Sequence, residues 1–82
     1  MLKLVNIKIQ DNIIEADYIP ENSRLKAHVS INIEDESITI ENIEEYGGMY
    51  RRMAIHGLWQ ILDELNSGEI ESVPTERFVV WY

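Results

Sequence analysis

Residues 24–33 read RLKAHVSINI, and this stretch decides the fold class. Apolar residues alternate in it without a break with polar ones; they are Leu25, Ala27, Val29, Ile31 and Ile33. Because successive side chains of a β-strand point to opposite faces, a period of two predicts a strand with one buried and one solvated face. A solvated face is typical of an antiparallel sheet, since parallel sheets are covered on both sides.

Two further strand patterns precede this stretch. Residues 2–10 and 13–19 are rich in β-branched residues, and Asp11-Asn12 between them tolerates the positive φ of a tight hairpin. The second pattern places Ile14, Ala16 and Tyr18 on one face. The first places Val5, Ile7 and Ile9 on one face but Leu2 and Leu4 on the other, which predicts cover on both sides near its start.

After the central strand the period changes from that of a strand to that of a helix. Glu34-Asp35-Glu36 predicts a charged turn, and residues 37–43 a fourth, shorter strand. Beyond Gly47-Gly48, one helical face collects Tyr46, Tyr50, Ala54, Gly57, Leu58, Ile61 and Leu65. We expect this helix to begin near Gly48 or Met49 and to end near Asn66, where Gly68 offers a left-handed cap. Gly57 costs helix propensity, which predicts a close backbone approach.

Residues 77–82 predict a fifth strand, so the element order is ββββαβ. We expect a single α+β domain over residues 1–82, an antiparallel sheet of four to five strands with one helix packed on one face. Cysteine is absent, which excludes disulfides and thiolate zinc sites. No secretory segment and no apolar run long enough to span a bilayer is present, and we therefore expect a cytoplasmic protein without membrane contact.

The net charge of −8 disfavours nucleic acid and anionic membranes as partners. Residues 27–76 hold eleven acidic residues against Arg51 and Arg52, a net of −9. The candidates for an acidic surface are Glu34, Asp35, Glu36, Glu41, Glu44 and Glu45. Their spacing lacks the ligand pattern and turn glycine of a calcium loop, so we expect no metal site. They either solvate loops and the outer sheet face or present carboxylates to a basic partner.

A second apolar group, Ile55, Trp59 and Leu62, lies on the helix away from the sheet-facing stripe. Loops or the C-terminal segment cover it within the monomer, or it forms a partner interface, where tryptophan is enriched. The last strand carries Val79 and Trp81 without a charged tail, and an unprotected edge strand invites a second strand. These five residues are the interface candidates.

No pattern for catalysis or a cofactor is present, and His28 and His56 lack a second His or Cys at ligand spacing. We expect hydrogen-bonded or solvated histidines. The leading hypothesis is a non-enzymatic interaction protein that acts as a homodimer or as a small subunit of an assembly. The alternative is an acidic inhibitor or antitoxin-like protein that captures a basic surface, as a nucleic-acid mimic does. An enzyme is the least favoured of the three classes.

Overall fold

The computed structural model describes residues 2–20, 26–41 and 48–80. They form an antiparallel sheet with one helix on it, so the predicted α+β class and the order ββββαβ are confirmed. The elements are β1 (Leu2–Gln10), β2 (Ile13–Pro20), β3 (Ala27–Asn32), β4 (Ile38–Glu41), α1 (Gly48–Ser67) and β5 (Glu76–Val79). Spatially the strands follow the order β4-β3-β2-β1-β5, which places β4 and β5 at the two edges.

The inner face of the sheet, on which α1 packs, is built from the alternation in β2 and β3. Ala27, Val29 and Ile31 are buried, as predicted, and Ile33 beyond the strand end is half-buried. They lie opposite Tyr18, Ala16 and Ile14 of β2, which are fully buried. Leu25, which was predicted to face the core with them, lies outside the described residues.

The prediction for β1 is wrong in one respect, because Leu2 and Leu4 share a face with Ile7. All three side chains are buried, and the β1–β2 register shifts between Val5 and Lys8. Asn6 stands within this β-bulge at a φ of 54°, a left-handed conformation that asparagine tolerates. Because the bulge adds one residue to β1, Leu2 and Leu4 before it and Ile7 after it all point to the inner face. Val5 is left on the outer face, opposite Asp17.

Both predicted turns form as the sequence indicates. Asp11 adopts a φ of 56° in the two-residue turn between β1 and β2. Between β3 and β4, the Asn32 side-chain oxygen accepts from the backbone N–H groups of Glu34 and Asp35, and Glu36 takes the left-handed conformation at 62°. The backbone N–H of Ile33 donates to the carbonyl of Asn12, so the two turns meet at the same end of the sheet.

Helix α1 begins at Gly48 and ends at Ser67, close to the predicted bounds. Gly68 has a φ of 81°, and its N–H and that of Glu69 donate to the carbonyls of Leu65 and Glu64. This pair of bonds is the Schellman cap that a glycine after a helix permits. Within the described residues, no helix has both the length and the apolar character that crossing a membrane requires.

The stripe of α1 that was predicted to face the sheet does so. Ala54, Leu58 and Ile61 are fully buried, while Tyr50 and Leu65 are half-buried against the core and Tyr46 lies outside the described residues. Gly57 makes the expected close approach, because a Cβ there would lie 2.7 Å from Val79 Cγ2 and 3.0 Å from Leu4 Cδ1. The helix backbone therefore rests directly on β1 and β5.

Strand β5 pairs with β1 and is tied to the helix as well. Arg77 Nη1 lies 2.7 Å and 2.8 Å from the two carboxylate oxygens of Glu64 in the last turns of α1. Strand β4 covers Ile38–Glu41 of the predicted 37–43, of which residues 42 and 43 lie outside the described residues, and β5 covers Glu76–Val79, so it begins one residue earlier than predicted and does not include Val80. Trp81 and Tyr82 lie outside the described residues.

Candidate functional site

The outer face of the sheet, which α1 does not cover, carries a cluster of polar side chains. The register aligns Val5, Asp17, His28 and Glu41 in one row across β1 to β4, and Lys8 and Glu15 in the next. Their inward neighbours in β2 and β3 are buried and apolar, so these side chains point away from the core. We define the His28 cluster as Asn6, Lys8, Glu15, Asp17, Lys26 and His28.

Asp17 is the central group of the His28 cluster. Its Oδ2 accepts a hydrogen bond of 2.9 Å from the Asn6 side-chain amide, and its Oδ1 lies 2.8 Å from His28 Nδ1. The Lys26 ammonium is 3.7 Å from Oδ2. Partial burial raises the pKa of Asp17, but the hydrogen bonds from Asn6 and His28 and the positive charges of Lys26 and His28 outweigh it and hold this pKa below its ordinary value.

The bulge in β1 is what brings Asn6 to Asp17. A regular strand would place residue 6 on the same face as Leu2 and Leu4, because side chains alternate. The left-handed backbone at Asn6 inserts one residue and re-aims the side chain, and bulges occur at binding sites for this reason. Asn6 therefore reaches the carboxylate of Asp17 from the neighbouring strand.

The other nitrogen of His28 faces Glu15. His28 Nε2 lies 3.9 Å from Glu15 Oε2, which is beyond hydrogen-bond distance, and Lys8 Nζ lies 3.9 Å from Glu15 Oε1. A depression of about 340 Å³ opens here, lined by Asn6, Ile7, Lys8, Glu15, Asp17 and His28. Lys8 and Glu15 also line a second, adjoining depression of about 130 Å³ with Gln10, Asp11 and Ile13.

The chemistry available in the depression is hydrogen bonding and charge pairing. Asp17 orients the His28 ring, as a carboxylate orients the base of a catalytic triad. No Ser, Thr or Cys is among the residues that line the depression. Within the described ranges, no group of three or more His, Cys, Asp or Glu side chains is arranged to hold a metal ion. The second histidine, His56, is exposed on α1.

The structure does not bring the four described interface candidates together on one exposed surface. Leu62 and Val79 are buried in the core, at 6% and 5% exposure. Ile55 and Trp59 are half-buried and pack against that core, and Trp81 lies outside the described residues. The second apolar group of α1 therefore packs largely against the core of its own protomer.

Strand β5 lies at the edge of the sheet, and two apolar side chains that sequence reasoning did not single out are exposed there, one in the strand and one directly after it. Phe78 is 59% exposed and Val80 49% exposed. The two charged side chains of β5 have partners in the same protomer: Arg77 binds Glu64, and Glu76 lies 3.6 Å from the Lys3 ammonium. Lys3 also lies over the Phe78 ring, 5.5 Å from its centroid. The exposed side chains of this edge are thus predominantly apolar.

The four acidic candidates that the structure describes lie on different parts of the molecule. Glu34, Asp35 and Glu36 form the exposed β3–β4 turn, whereas Glu41 is at the far end of β4, opposite His28. The carboxylate of Asp35 accepts a hydrogen bond from the backbone N–H of Ser37. This bond, followed by one from the Ser37 side chain, lowers the pKa of the Asp35 carboxyl. Glu44 and Glu45 lie outside the described residues.

Sequence reasoning missed Asn6, Glu15 and Asp17 as members of one site. The sequence did contain a signal for the bulge, because the alternating apolar residues change from even positions up to Leu4 to odd positions at Ile7. No family model, curated protein or solved structure matches this chain.

Proposed function

We propose that the protein is a non-enzymatic interaction protein that pairs with a second copy of itself through the free edge of β5. The observation that supports this most directly is the position of β5 at the sheet edge with Phe78 and Val80 exposed beside it. Along an antiparallel strand, alternate residues direct their N–H and C=O groups away from the neighbour. In β5 these groups point away from β1, and in the described part of the chain no strand pairs with that side.

A second copy suits this edge for two reasons. Antiparallel pairing of two identical strands is self-complementary, so a two-fold axis closes the assembly after one step. The apolar side chains Phe78 and Val80 would cover their counterparts, whereas Glu76 and Arg77 already have partners within the protomer. A chain without cysteines also gains stability when it buries apolar surface in a partner.

The edge of β5 is favoured over the helix face because more apolar surface remains exposed to water at the edge. Leu62 is buried, and Ile55 and Trp59 are already packed against the core, so association through α1 would remove little additional apolar surface from water. Phe78 has more than half of its surface exposed. The hydrophobic gain is roughly proportional to the apolar area removed from water, and it is therefore larger at β5.

Sedimentation equilibrium of the wild type, Phe78→Ser and Ile38→Ser tests the proposal. Ile38 is a matched control, because it is 44% exposed on the other edge strand, β4. We expect Phe78→Ser to weaken the dimer at least tenfold and Ile38→Ser to leave it within twofold. Since the net charge of −8 repels a second copy, added salt should tighten the wild-type dimer.

Three outcomes would count against pairing through β5. A wild type that stays monomeric at high micromolar concentration, at low and high salt, removes the dimer. A dimer that only Ile38→Ser weakens moves the interface to β4. A dimer that responds to Trp59→Ala but not to Phe78→Ser moves it to the helix face. Thermal melts of each variant establish that the fold is intact.

The second candidate function is capture of a basic partner by the acidic turns. Its support is that Glu34, Asp35 and Glu36 share one end of the sheet with Asp11, where the two turns are hydrogen-bonded. Four carboxylates there form a negative surface without a lysine or arginine in either turn. Charge-driven capture weakens steeply with salt, whereas pairing of β5 should strengthen.

We propose a cytoplasmic setting for either function, which agrees with the absence of cysteine.

A further inference from the structure

One hydrogen bond of the β5 backbone shows which residues direct their N–H and C=O groups away from β1. The N–H of Ile7 in β1 donates to the carbonyl of Thr75 over 3.1 Å, so residue 75 faces β1. Because the backbone groups alternate in direction along an antiparallel strand, every second residue after Thr75 also faces β1. The residues between them direct their backbone groups to the sheet edge; they are Glu76, Phe78 and Val80.

The side chains of these edge-directed residues lie on the outer face. Phe78 is opposite Lys3, and its neighbour Val79 is buried on the inner face, in contact with α1 at Gly57. Side chains directly opposite each other in antiparallel strands share a face. Two copies that pair through these backbone groups therefore join their outer faces into one surface, and both α1 helices lie on the other side.

Only certain registers are compatible with such a pair, because edge-directed residues must lie opposite edge-directed residues. A two-fold axis at Arg77 would place two arginines side by side, and like charges directly opposite each other are unfavourable. An axis at Val79 would leave Glu76 without a counterpart among the described residues. An axis at Phe78 pairs the whole of β5 and Val80 after it, with Glu76 opposite Val80 of the second copy.

The Phe78 ring is prepared for a contact from the edge side. The Lys3 ammonium, which comes from β1, lies over the ring at 5.5 Å from its centroid and is 3.6 Å from the Glu76 carboxylate. The ring nevertheless remains 59% exposed. A second phenyl ring from the edge side would meet this exposed surface, and aromatic pairs prefer such offset or edge-to-face contacts. Val80 of the second copy, diagonal to Phe78, would cover the rest.

We propose that the dimer is one continuous sheet, with five strands from each copy, whose two-fold axis passes between the two Phe78 side chains. This inference rests on the proposed pairing through β5 and adds its register and its central contact. Across the interface the outer face carries Lys3 and Phe78 of one copy, then Phe78 and Lys3 of the second. Each copy thus supplies the ring that completes the contact of the other.

Disulfide trapping tests the register, because the chain contains no cysteine of its own. Opposite residues that exchange hydrogen bonds have Cα atoms about 5.5 Å apart, which suits a disulfide. A mixture of Glu76→Cys and Val80→Cys, both with Phe78 intact, should form a mixed disulfide at least tenfold faster than either variant alone. Residue 76 and its own copy would be about 14 Å apart, at about 3.4 Å per residue. Glu41→Cys, exposed on β4, is the control partner for Val80→Cys.

Three results would overturn this register. Either variant alone, crosslinking as fast as the mixture, would move the axis to Arg77 or Val79. Equal rates for Val80→Cys with Glu76→Cys and with Glu41→Cys would show that the disulfides arise from random collisions. In both cases a wild-type dimer that Phe78→Ser still weakens leaves the pairing through β5 in place, so only the register fails. A wild type that is monomeric in sedimentation removes the dimer and its register together.

Discussion

The two faces of the sheet are stabilised in different ways. On the inner face, Ile14, Ala16, Val29 and Ile31 are fully buried under α1 and excluded from water. On the outer face, the same strands carry Glu15, Asp17 and His28, which are partly solvated and are held by the hydrogen bonds of Asp17 and by ion pairs with Lys8 and Lys26. Burial of apolar surface contributes a large free energy without fixing direction, whereas exposed polar contacts contribute little free energy but fix geometry. The inner face thus determines stability, and the outer face presents directed groups.

The largest expected effect is on the inner face. Ile31→Ala should lower the free energy of unfolding by about 2–5 kcal/mol, because it removes buried methylene groups and leaves a cavity. Ser30→Ala, the adjacent outward position in β3, should change it by less than about 0.5 kcal/mol. Chemical denaturation of both variants measures the difference. Equal midpoints for the two variants would contradict the assignment of faces.

A smaller effect is expected where the helix touches the sheet. Gly57→Ala gains about 1 kcal/mol of helix propensity but overpacks the contact with Val79 and Leu4, at a cost of about 1–3 kcal/mol. We expect a net loss of about 1 kcal/mol in the free energy of unfolding. Val79→Ala, measured alone and combined with Gly57→Ala, completes a double-mutant cycle. Additive losses would show that the added methyl group does not meet Val79.

On the outer face, Asp17 should contribute a pH-dependent part of the stability. Its folded pKa lies below its unfolded value, so the contribution is present above the unfolded value and is lost as the pH falls through the folded pKa. Asp17→Asn should therefore lower stability at neutral pH and flatten its acid dependence in this range. Asp63→Asn, exposed on α1, is the control. Parallel acid-unfolding curves for wild type and Asp17→Asn would argue against the hydrogen-bonded carboxylate.

The smallest effect is expected from divalent cations. Glu34, Asp35 and Glu36 are exposed, and Asp35 is already bonded to the Ser37 backbone. Calcium, magnesium or manganese should leave the melting temperature almost unchanged, since an ion that does not bind the native state cannot stabilise it. A saturable rise below millimolar metal would instead identify a site, and these three residues would be the first to substitute.

Much of the fold could be predicted from local patterns. The period of two in β2 and β3, the left-handed Asp11 and the glycine cap at Gly68 each follow from chemistry within a few residues. The bulge was not predicted, because a change in the alternation of apolar residues is equally consistent with a regular strand that is covered on both sides. The outer cluster was not predicted either, since Asn6, Asp17 and His28 come from three strands and meet only once the register is set.

The sequence by itself determined which residues are apolar, where the period changes from strand to helix, and that the chain is acidic and without cysteine. These features depend only on residue types and on their spacing over a few positions, so they can be taken directly from the sequence. Only the tertiary structure decided that β5 pairs with β1 at an edge, that Leu62 and Val79 are buried, and that Glu15 faces His28 across 3.9 Å. Each of these depends on strand order and register, which arise from packing between segments far apart in the chain.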